Sequence, residues 1–106
     1  QNTVVPECLK RNVGVIGMKG LAGGATQGRL IEKLGATSDE CYRFCLSVPV
    51  STQVVGITKM SQLEQNLKLV RNFKPLAKAE KDAFAARFRE VATDGRHEWF
   101  KSTQFY

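Results

Sequence analysis

The sequence is poor in the side chains from which catalytic and metal centres are most often built. It contains one histidine, His97, and three cysteines, Cys8, Cys41 and Cys45, in 106 residues. A metal site or a serine–histidine arrangement is improbable with a single histidine, so we assign His97 no catalytic role. Cys41 and Cys45 lie one helical turn apart on an apolar stripe, where buried thiols are common, and no disulfide framework is indicated. We therefore expect a reducing, cytoplasmic setting.

Long apolar runs and targeting signals are missing too. No run is long enough to span a bilayer, and the opening residues QNTVVPECLK show no basic leader followed by an apolar core. We expect no membrane partner. The first residue is not methionine, so we expect either a processed chain or a piece of a longer one. The glycine-rich stretch Lys19–Gly28 has neither the spacing of a GxGxxG fingerprint nor a Walker lysine, and as a motif it is weak.

The chain carries a net charge of +6 and has a pI of about 9.5. Its basic residues are spread along the sequence and form no basic arm. Such a surface favours a phosphorylated ligand or weak contact with nucleic acid, although a merely solvated surface is the simplest interpretation. The aromatic and basic tail RHEWFKSTQFY could stack on nucleobases, but we rank nucleic-acid binding last and expect no nucleic-acid partner.

Two apolar stretches, Val13–Met18 and Val50–Gly56, are typical of buried parallel strands. Gly14 and Gly17 weaken the first strand in isolation, so close packing of a neighbour is expected there. Helical spacing predicts helices over Asn2–Asn12, from Thr37 to about Val48, from Thr58 to Val70 and over Leu76–Ala92, with a short turn over Arg29–Leu34.

The helix after Thr37 has the clearest start signal, because Thr37 and Glu40 have the spacing of a capping box. Pro49 stops this helix. Its predicted core face is Cys41, Phe44, Cys45 and Val48, with Arg43 and Ser47 outward. The predicted apolar stripe of the third helix is Met60, Leu63, Leu67 and Val70, and that of the fourth is Leu76, Phe84, Phe88 and Val91 with Glu80 at its edge and Gly95 as its cap.

The stretch Thr52–Val70 combines a strand, a glycine and a helix start in the order that suits an anion such as a phosphate. Gly56 would let a backbone or ligand approach closely, and Thr58 would cap the helix. Free N–H groups and the positive end of the helix dipole then meet at one point. An ordinary strand-to-helix turn with nothing bound remains open, and spacing alone favours that alternative.

The order of these elements predicts an α/β fold with two βα units and a further terminal helix. Two strands alone make a poor sheet, and parallel strands require cover on both faces. We therefore expect one partial domain over residues 1–106, with a tail at 93–106. It would be a piece of a larger βα assembly or an oligomer that completes its sheet.

Three segments together resemble the C-terminal part of aldo/keto reductases. They are VGVIGMKGLAGG at 13–24, CYRFCLSVPVSTQVVGITKMSQLEQNL at 41–67 and ATDGRHEWFKSTQ at 92–104. The resemblance covers nearly the whole chain. It implies a (β/α)8 TIM-type barrel that reduces carbonyls with a nicotinamide cofactor, of which this chain would hold the seventh strand at 13–19, the eighth at 52–56 and the last helix at Leu76–Ala92.

The same resemblance implies a set of cofactor-binding residues. Met18 would pack on the nicotinamide ring. Lys19, Leu21 and Gly23 would lie in the loop over the pyrophosphate. Gly56, Ile57 and Thr58 would lie near the adenosine phosphates, and Gln62, Gln65 and Asn66 on the helix that touches the adenine nucleotide.

The chain departs from the family pattern at the phosphate site. Members that prefer NADP often carry lysine, serine and arginine at the positions of Gly56, Ile57 and Gln62. Glutamine cannot form the bidentate clamp of a guanidinium, although Lys59 could substitute as a point charge. The resemblance therefore implies NADP or NAD without choosing between them.

The catalytic Asp, Tyr, Lys and His of the family lie on strands that this sequence does not contain, and neither Tyr42 nor Tyr106 matches the catalytic tyrosine. No catalytic residue is assigned, and we expect a segment that is inactive alone, because a reductase needs a general acid. The alternative is a self-associating structural module with no ligand. The expected partner is a second copy, with a dimer favoured, or the missing part of the barrel.

Overall fold

The computed structural model describes residues 2–21 and 34–92. Within them the chain order is α1 (Val4–Lys10), β1 (Ile16–Gly17), α2 (Ser38–Leu46), β2 (Thr52–Gln53), α3 (Met60–Arg71) and α4 (Lys78–Ala92). The fold is mixed α/β, and the order of its elements follows the sequence-based prediction. Completion of a barrel stays a prediction. Gly23, the predicted turn up to residue 33, Gly95 and the tail lie outside the described residues.

The start of α2 forms as predicted. Thr37 is extended, with φ −95° and ψ 157°, and its Oγ1 accepts a hydrogen bond of 3.2 Å from the Glu40 N–H. The Thr37 N–H donates in return to the Glu40 Oε2 at 2.8 Å. Two otherwise unpaired backbone donors are thereby satisfied, which fixes the first turn of the helix. The helix ends at Leu46, with Ser47 as its C-cap.

The best-covered part of the described chain surrounds α2. Ala36 and Tyr42 are its buried hydrophobic residues, 8% and 7% exposed. The predicted core face of α2 is half-buried. Most other residues of α2 are half-buried too, because other parts of the chain lie on several sides of this helix. Ser47, predicted to face outward, is instead half-buried: its hydroxyl donates to the Arg43 carbonyl at 2.7 Å and accepts from the Leu76 N–H at 2.8 Å.

The two strands pair in parallel, with Ile16 opposite Thr52 and Gly17 opposite Gln53. The Ser51 N–H donates to the Val15 carbonyl, and the Val54 N–H donates to the Gly17 carbonyl, each at 2.8 Å. The parallel direction is thus as predicted. The predicted extent is wrong, because the described ladder covers only two residues of each strand.

The prediction that these strands are buried is also wrong. Ile16 is 68% exposed and Val54 is 54% exposed. Side chains alternate between the faces of a strand, so Ile16 shares one face with Thr52, while Gly17 shares the other with Gln53. The α2 helix lies against the second face, where its Tyr42 and Leu46 line a cavity with Gln53. Near the end of β1, a Cβ built on Gly20 would lie 3.1 Å from the Cys45 Sγ and 3.2 Å from the Gln53 Nε2.

The α3 helix is rotated relative to the prediction. Met60, Leu67 and Val70 are 69%, 44% and 59% exposed, so they do not form a buried stripe. The half-buried residues of this helix are Leu63, Asn66 and Leu69. This narrower stripe is the side of the helix that faces the rest of the chain.

The α4 helix docks on α2 through aromatic rings. The ring centroid of Phe84 lies 5.2 Å from that of Phe44 and 4.9 Å from that of Phe88. The Arg87 guanidinium lies 5.5 Å from the Phe84 centroid and 5.3 Å from the Phe88 centroid. Phe84 and Phe88 thus occupy the predicted packing face, and Glu80 is exposed. The Val91 side chain is outside the described part.

Candidate functional site

The parallel pairing brings the carboxyl ends of β1 and β2 to one edge. Ligands of α/β folds usually lie beyond that edge. Met18 follows β1 directly and is 65% exposed, while Ile57 lies beyond β2 and is 41% exposed. The edge therefore presents apolar side chains to solvent at two of the positions that the resemblance singles out.

The chain turns sharply where β1 ends. Lys19 has a φ of 56°, in the left-handed region that non-glycine residues adopt infrequently. The turn brings Gly20 back against Gln53, and Leu21 is half-buried. Lys19 and Leu21 thus begin a loop that leaves the strand at its carboxyl end. Their predicted place over a pyrophosphate stays a prediction. Gly23, the third residue predicted for this loop, lies outside the described residues.

Gly56 lies in open space. A Cβ built on Gly56 would meet no atom of the described chain within 4 Å, and its φ is not in the left-handed region. Neither the backbone conformation nor a neighbour among residues 2–21 and 34–92 requires glycine there. The sequence predicts that a backbone or ligand approaches Gly56 closely, and no residue of this part of the chain does so. Gly56 leaves a stretch of backbone accessible to a group from outside.

The start of α3 differs from the prediction, because Lys59 and not Thr58 is the N-cap residue. Gln62 performs the capping. Its Oε1 accepts hydrogen bonds from the Thr58 N–H at 2.8 Å and the Lys59 N–H at 3.1 Å. The Thr58 hydroxyl donates to the same oxygen at 3.2 Å. The position that the resemblance gives to a phosphate clamp thus holds a side chain that satisfies backbone donors.

The other two residues predicted on α3 lie apart from this edge. Gln65 lines an open cleft of about 380 Å³ between α2 and α3, together with Arg43 and Lys68. Asn66 lines a smaller apolar cavity of about 100 Å³ beside Tyr42 and Val55. The structure therefore groups Thr58 with Gln62 and does not bring Gln65 or Asn66 to the same place.

The titratable groups nearest the centre of the fold are held neutral. Burial raises the pKa of Cys41 to about 11, and the neighbouring Cys45 adds to the effect. Burial also raises the pKa values of Tyr42 and Cys45. Thiols in such surroundings are poor nucleophiles. Within the residues described, no group of three or more His, Cys, Asp and Glu side chains is arranged to hold a metal ion.

One charged contact was missed by the sequence reasoning. Arg87 donates to the Glu40 Oε1 at 2.7 Å and to the Gly35 carbonyl at 2.9 Å. The Thr37 backbone N–H, and after it Arg87, lowers the pKa of Glu40 from 4.5 to about 2. Glu40 and Arg87 are 47 residues apart, so no local pattern could have identified the pair. The contact between Arg87 and Glu40 links α4 to the start of α2.

None of the helices in the described residues is both long enough and apolar enough to cross a membrane. No family model, curated protein or solved structure matches the chain.

Proposed function

We propose that this chain is the C-terminal segment of an aldo/keto reductase-like protein, that it carries part of a nicotinamide dinucleotide site, and that it is inactive alone. The observation that carries the proposal is the parallel pairing of the two βα units. It places Met18 and the segment Gly56–Thr58 beyond the same edge of the sheet. The quoted sequence resemblance assigns these same positions to the cofactor.

The exposed side chains at this edge suit the parts of a dinucleotide. Met18 is unbranched and polarizable, and such a side chain makes favourable contacts with flat rings. The backbone at Gly56 is accessible, so a phosphate could approach it there, just before the Thr58 and Lys59 N–H groups that Gln62 already caps. The cofactor would supply the hydride, and these residues of the chain would bind and orient it.

The residues present favour no strong selection for NADP over NAD. Gln62 is engaged by two backbone N–H groups and the Thr58 hydroxyl. Lys59 is then the cation nearest the start of α3, and a lysine acts on a phosphate as a single point charge. We expect NADPH to bind at most a few-fold more tightly than NADH.

The proposal assigns no catalytic residue to this chain. Tyr42 is the buried phenol of the described part, and burial raises its pKa. It lies beneath the sheet beside Asn66, on the covered side. Carbonyl reduction needs a proton donor within hydrogen-bond reach of the substrate. That donor would come from the part of a barrel that this chain does not encode, and we place the protein in the cytoplasm on the same proposal.

Cofactor fluorescence tests the proposal. NADPH and NADH are titrated separately with the chain, and we expect saturable binding with dissociation constants below about 1 mM, since a partial site retains only part of the contacts. Lys59→Ala should weaken NADPH binding about three- to tenfold. Lys74→Ala removes an exposed lysine from the α3–α4 connection and is the matched control, expected to change nothing.

A second variant tests the open backbone at Gly56. Gly56→Glu fits the space without a clash and places a negative charge beside the proposed phosphate position. It should abolish binding of both cofactors while the far-ultraviolet circular dichroism spectrum is unchanged. Absence of binding at millimolar cofactor, or equal effects of Lys59→Ala and Lys74→Ala, would contradict the proposal.

A further inference from the structure

The open cleft of about 380 Å³ between α2 and α3 has the size of a site for a small organic molecule. We call it the α2–α3 cleft. Its charged residues are Asp39 and Arg43 on α2 and Lys68 on α3. Leu69 and Phe73 give it apolar surface. The proposed cofactor site uses none of these five residues.

The Arg43 guanidinium is open to a partner. Arg43 is half-buried, and within the described residues its side chain makes no ion pair and no hydrogen bond. Two acids lie beside it in a neighbouring groove, and both are engaged. Glu40 pairs with Arg87. The Glu80 Oε2 accepts from the Ala77 N–H at 2.7 Å. Arg43 is therefore a cation that has lost part of its hydration and that a bound anion would satisfy.

The balance of charge in the cleft selects the kind of anion. Lys68 is an exposed second cation, and its side chain makes no ion pair in the part of the chain that the structure describes. Asp39 is the one acid of the lining, and it lies in the first turn of α2, where the helix dipole stabilises it. Two cations and one acid leave a lining of +1, which a single negative charge balances. A carboxylate also matches the planar fork of a guanidinium, whereas Asp39 would repel a dianion more strongly.

The apolar side of the cleft indicates what the rest of the ligand is. Leu69 and Phe73 are both half-buried, so each still has surface that a ligand would cover. A flat aromatic body stacks well against a phenylalanine ring. A molecule with a carboxylate at one end and an aromatic ring at the other therefore matches both kinds of surface.

We propose that the α2–α3 cleft binds an organic carboxylate with an aromatic body, whose charged end is held by Arg43 and Lys68 and whose ring packs on Leu69 and Phe73. This goes beyond the proposed cofactor site, because it involves other residues and needs no dinucleotide. The two proposals therefore have separate readouts.

Naphthalene-2-carboxylate is the probe for the test. It is titrated without dinucleotide, at constant ionic strength, into the isotopically labelled full chain, and amide resonances are followed. We expect a dissociation constant of about 1 mM, which is usual for a ligand of this size. Resonances of residues 39–43 and 68–73 should shift together. Naphthalene-2-carboxamide lacks the charge and acetate lacks the ring, so each should bind at least about tenfold more weakly, as should inorganic phosphate.

Four variants assign the binding to the cleft. Arg43→Gln should weaken probe binding about tenfold or more, because it removes a charge-assisted hydrogen bond. Lys68→Gln should weaken it about threefold, since this cation is exposed. Asp39→Asn should strengthen it about threefold by removing a repelling charge. Arg71→Gln is the matched control, because Arg71 is a cation in the same turn of α3 that does not line the cleft.

Helix content of all four variants is checked by circular dichroism, and Lys68→Gln and Asp39→Asn keep the test independent of any effect of Arg43→Gln on folding. Shifts centred on Met18 and residues 56–58, or no saturable binding of the probe up to about 10 mM, would overturn the proposal. So would phosphate that binds as tightly as the probe. Equal effects of Arg71→Gln and Lys68→Gln, or weaker binding by Asp39→Asn, would also overturn it.

Discussion

The aromatic contact between α2 and α4 offers the sharpest test of how the helices are held together. Phe84 is half-buried and lies between Phe44 and Phe88, with ring centroids 5.2 and 4.9 Å away. Truncating a fully buried phenylalanine to alanine costs about 3–5 kcal/mol. Because Phe84 is only partly buried, we expect Phe84→Ala to lower the free energy of unfolding by about 2–3 kcal/mol.

A double-mutant cycle isolates the contact itself. Urea unfolding is measured at 10 °C by far-ultraviolet circular dichroism for Phe44→Ala, Phe84→Ala and the double variant. Sucrose is added to all samples because it stabilises the folded state. The coupling energy between the two rings should be about 0.5–1.5 kcal/mol. Phe73 lines the cleft between α2 and α3, so the cycle of Phe73→Ala with Phe84→Ala is the control and should be additive within about 0.5 kcal/mol. Additive effects of Phe44→Ala and Phe84→Ala would refute the docking of α4 described above.

Three further outcomes follow from the same structure. The Thr37 N–H, and after it Arg87, lowers the pKa of Glu40 from 4.5 to about 2, so the ionised Glu40 stabilises the fold above about pH 4.5 and this stabilisation is lost as the pH falls towards 2. Glu40→Gln should flatten this part of an acid titration of helix content, and an unchanged curve would contradict the assignment. Gln62→Leu should destabilise the chain by about 0.5–2 kcal/mol through loss of the α3 cap, whereas Gln62→Glu should keep the cap. Equal melting temperatures for the two variants would argue against a capping role for Gln62. Cys41, with a pKa of about 11, has roughly one thiolate in a thousand molecules at pH 8, so alkylation of Cys41 should be slow until urea is added, and fast labelling of Cys41 itself in the native chain would contradict its burial.

Local signals in the sequence identified the local structure well. Thr37 and Glu40 are three residues apart, so the capping box depends on little outside its own turn, and it forms as predicted. The parallel direction of the strands also followed from the alternation of strands and helices.

The burial predictions depended on neighbours that the described residues do not supply. Val54 is apolar and β-branched, yet it is more than half exposed, because the residues that the structure describes do not cover its face of the sheet. On α3 the apolar stripe at helical spacing predicts the packed side, but Leu69 and Asn66 are more covered than Leu67 and Val70. Which side of α3 packs depends on where the rest of the chain lies, and spacing alone does not reveal that.

Some features of the candidate site could be predicted from the sequence, and others could not. Placement of Met18 and Gly56 beyond one sheet edge follows from the topology, so sequence reasoning could reach it. The capping role of Gln62 could also have been found, because it stands three residues after Lys59 at the start of a helix. The Arg87–Glu40 contact could not, since it joins residues on separate helices.

The most direct test of the proposed cofactor site is a residue-by-residue map of where a dinucleotide binds. Amide resonances of the isotopically labelled chain are followed while NADPH is added to several millimolar. We predict that the resonances of Met18, Lys19 and residues 56–58 shift together with one dissociation constant, while those of α4 stay in place. Shifts confined to α4, or no shifts at all, would contradict the proposal.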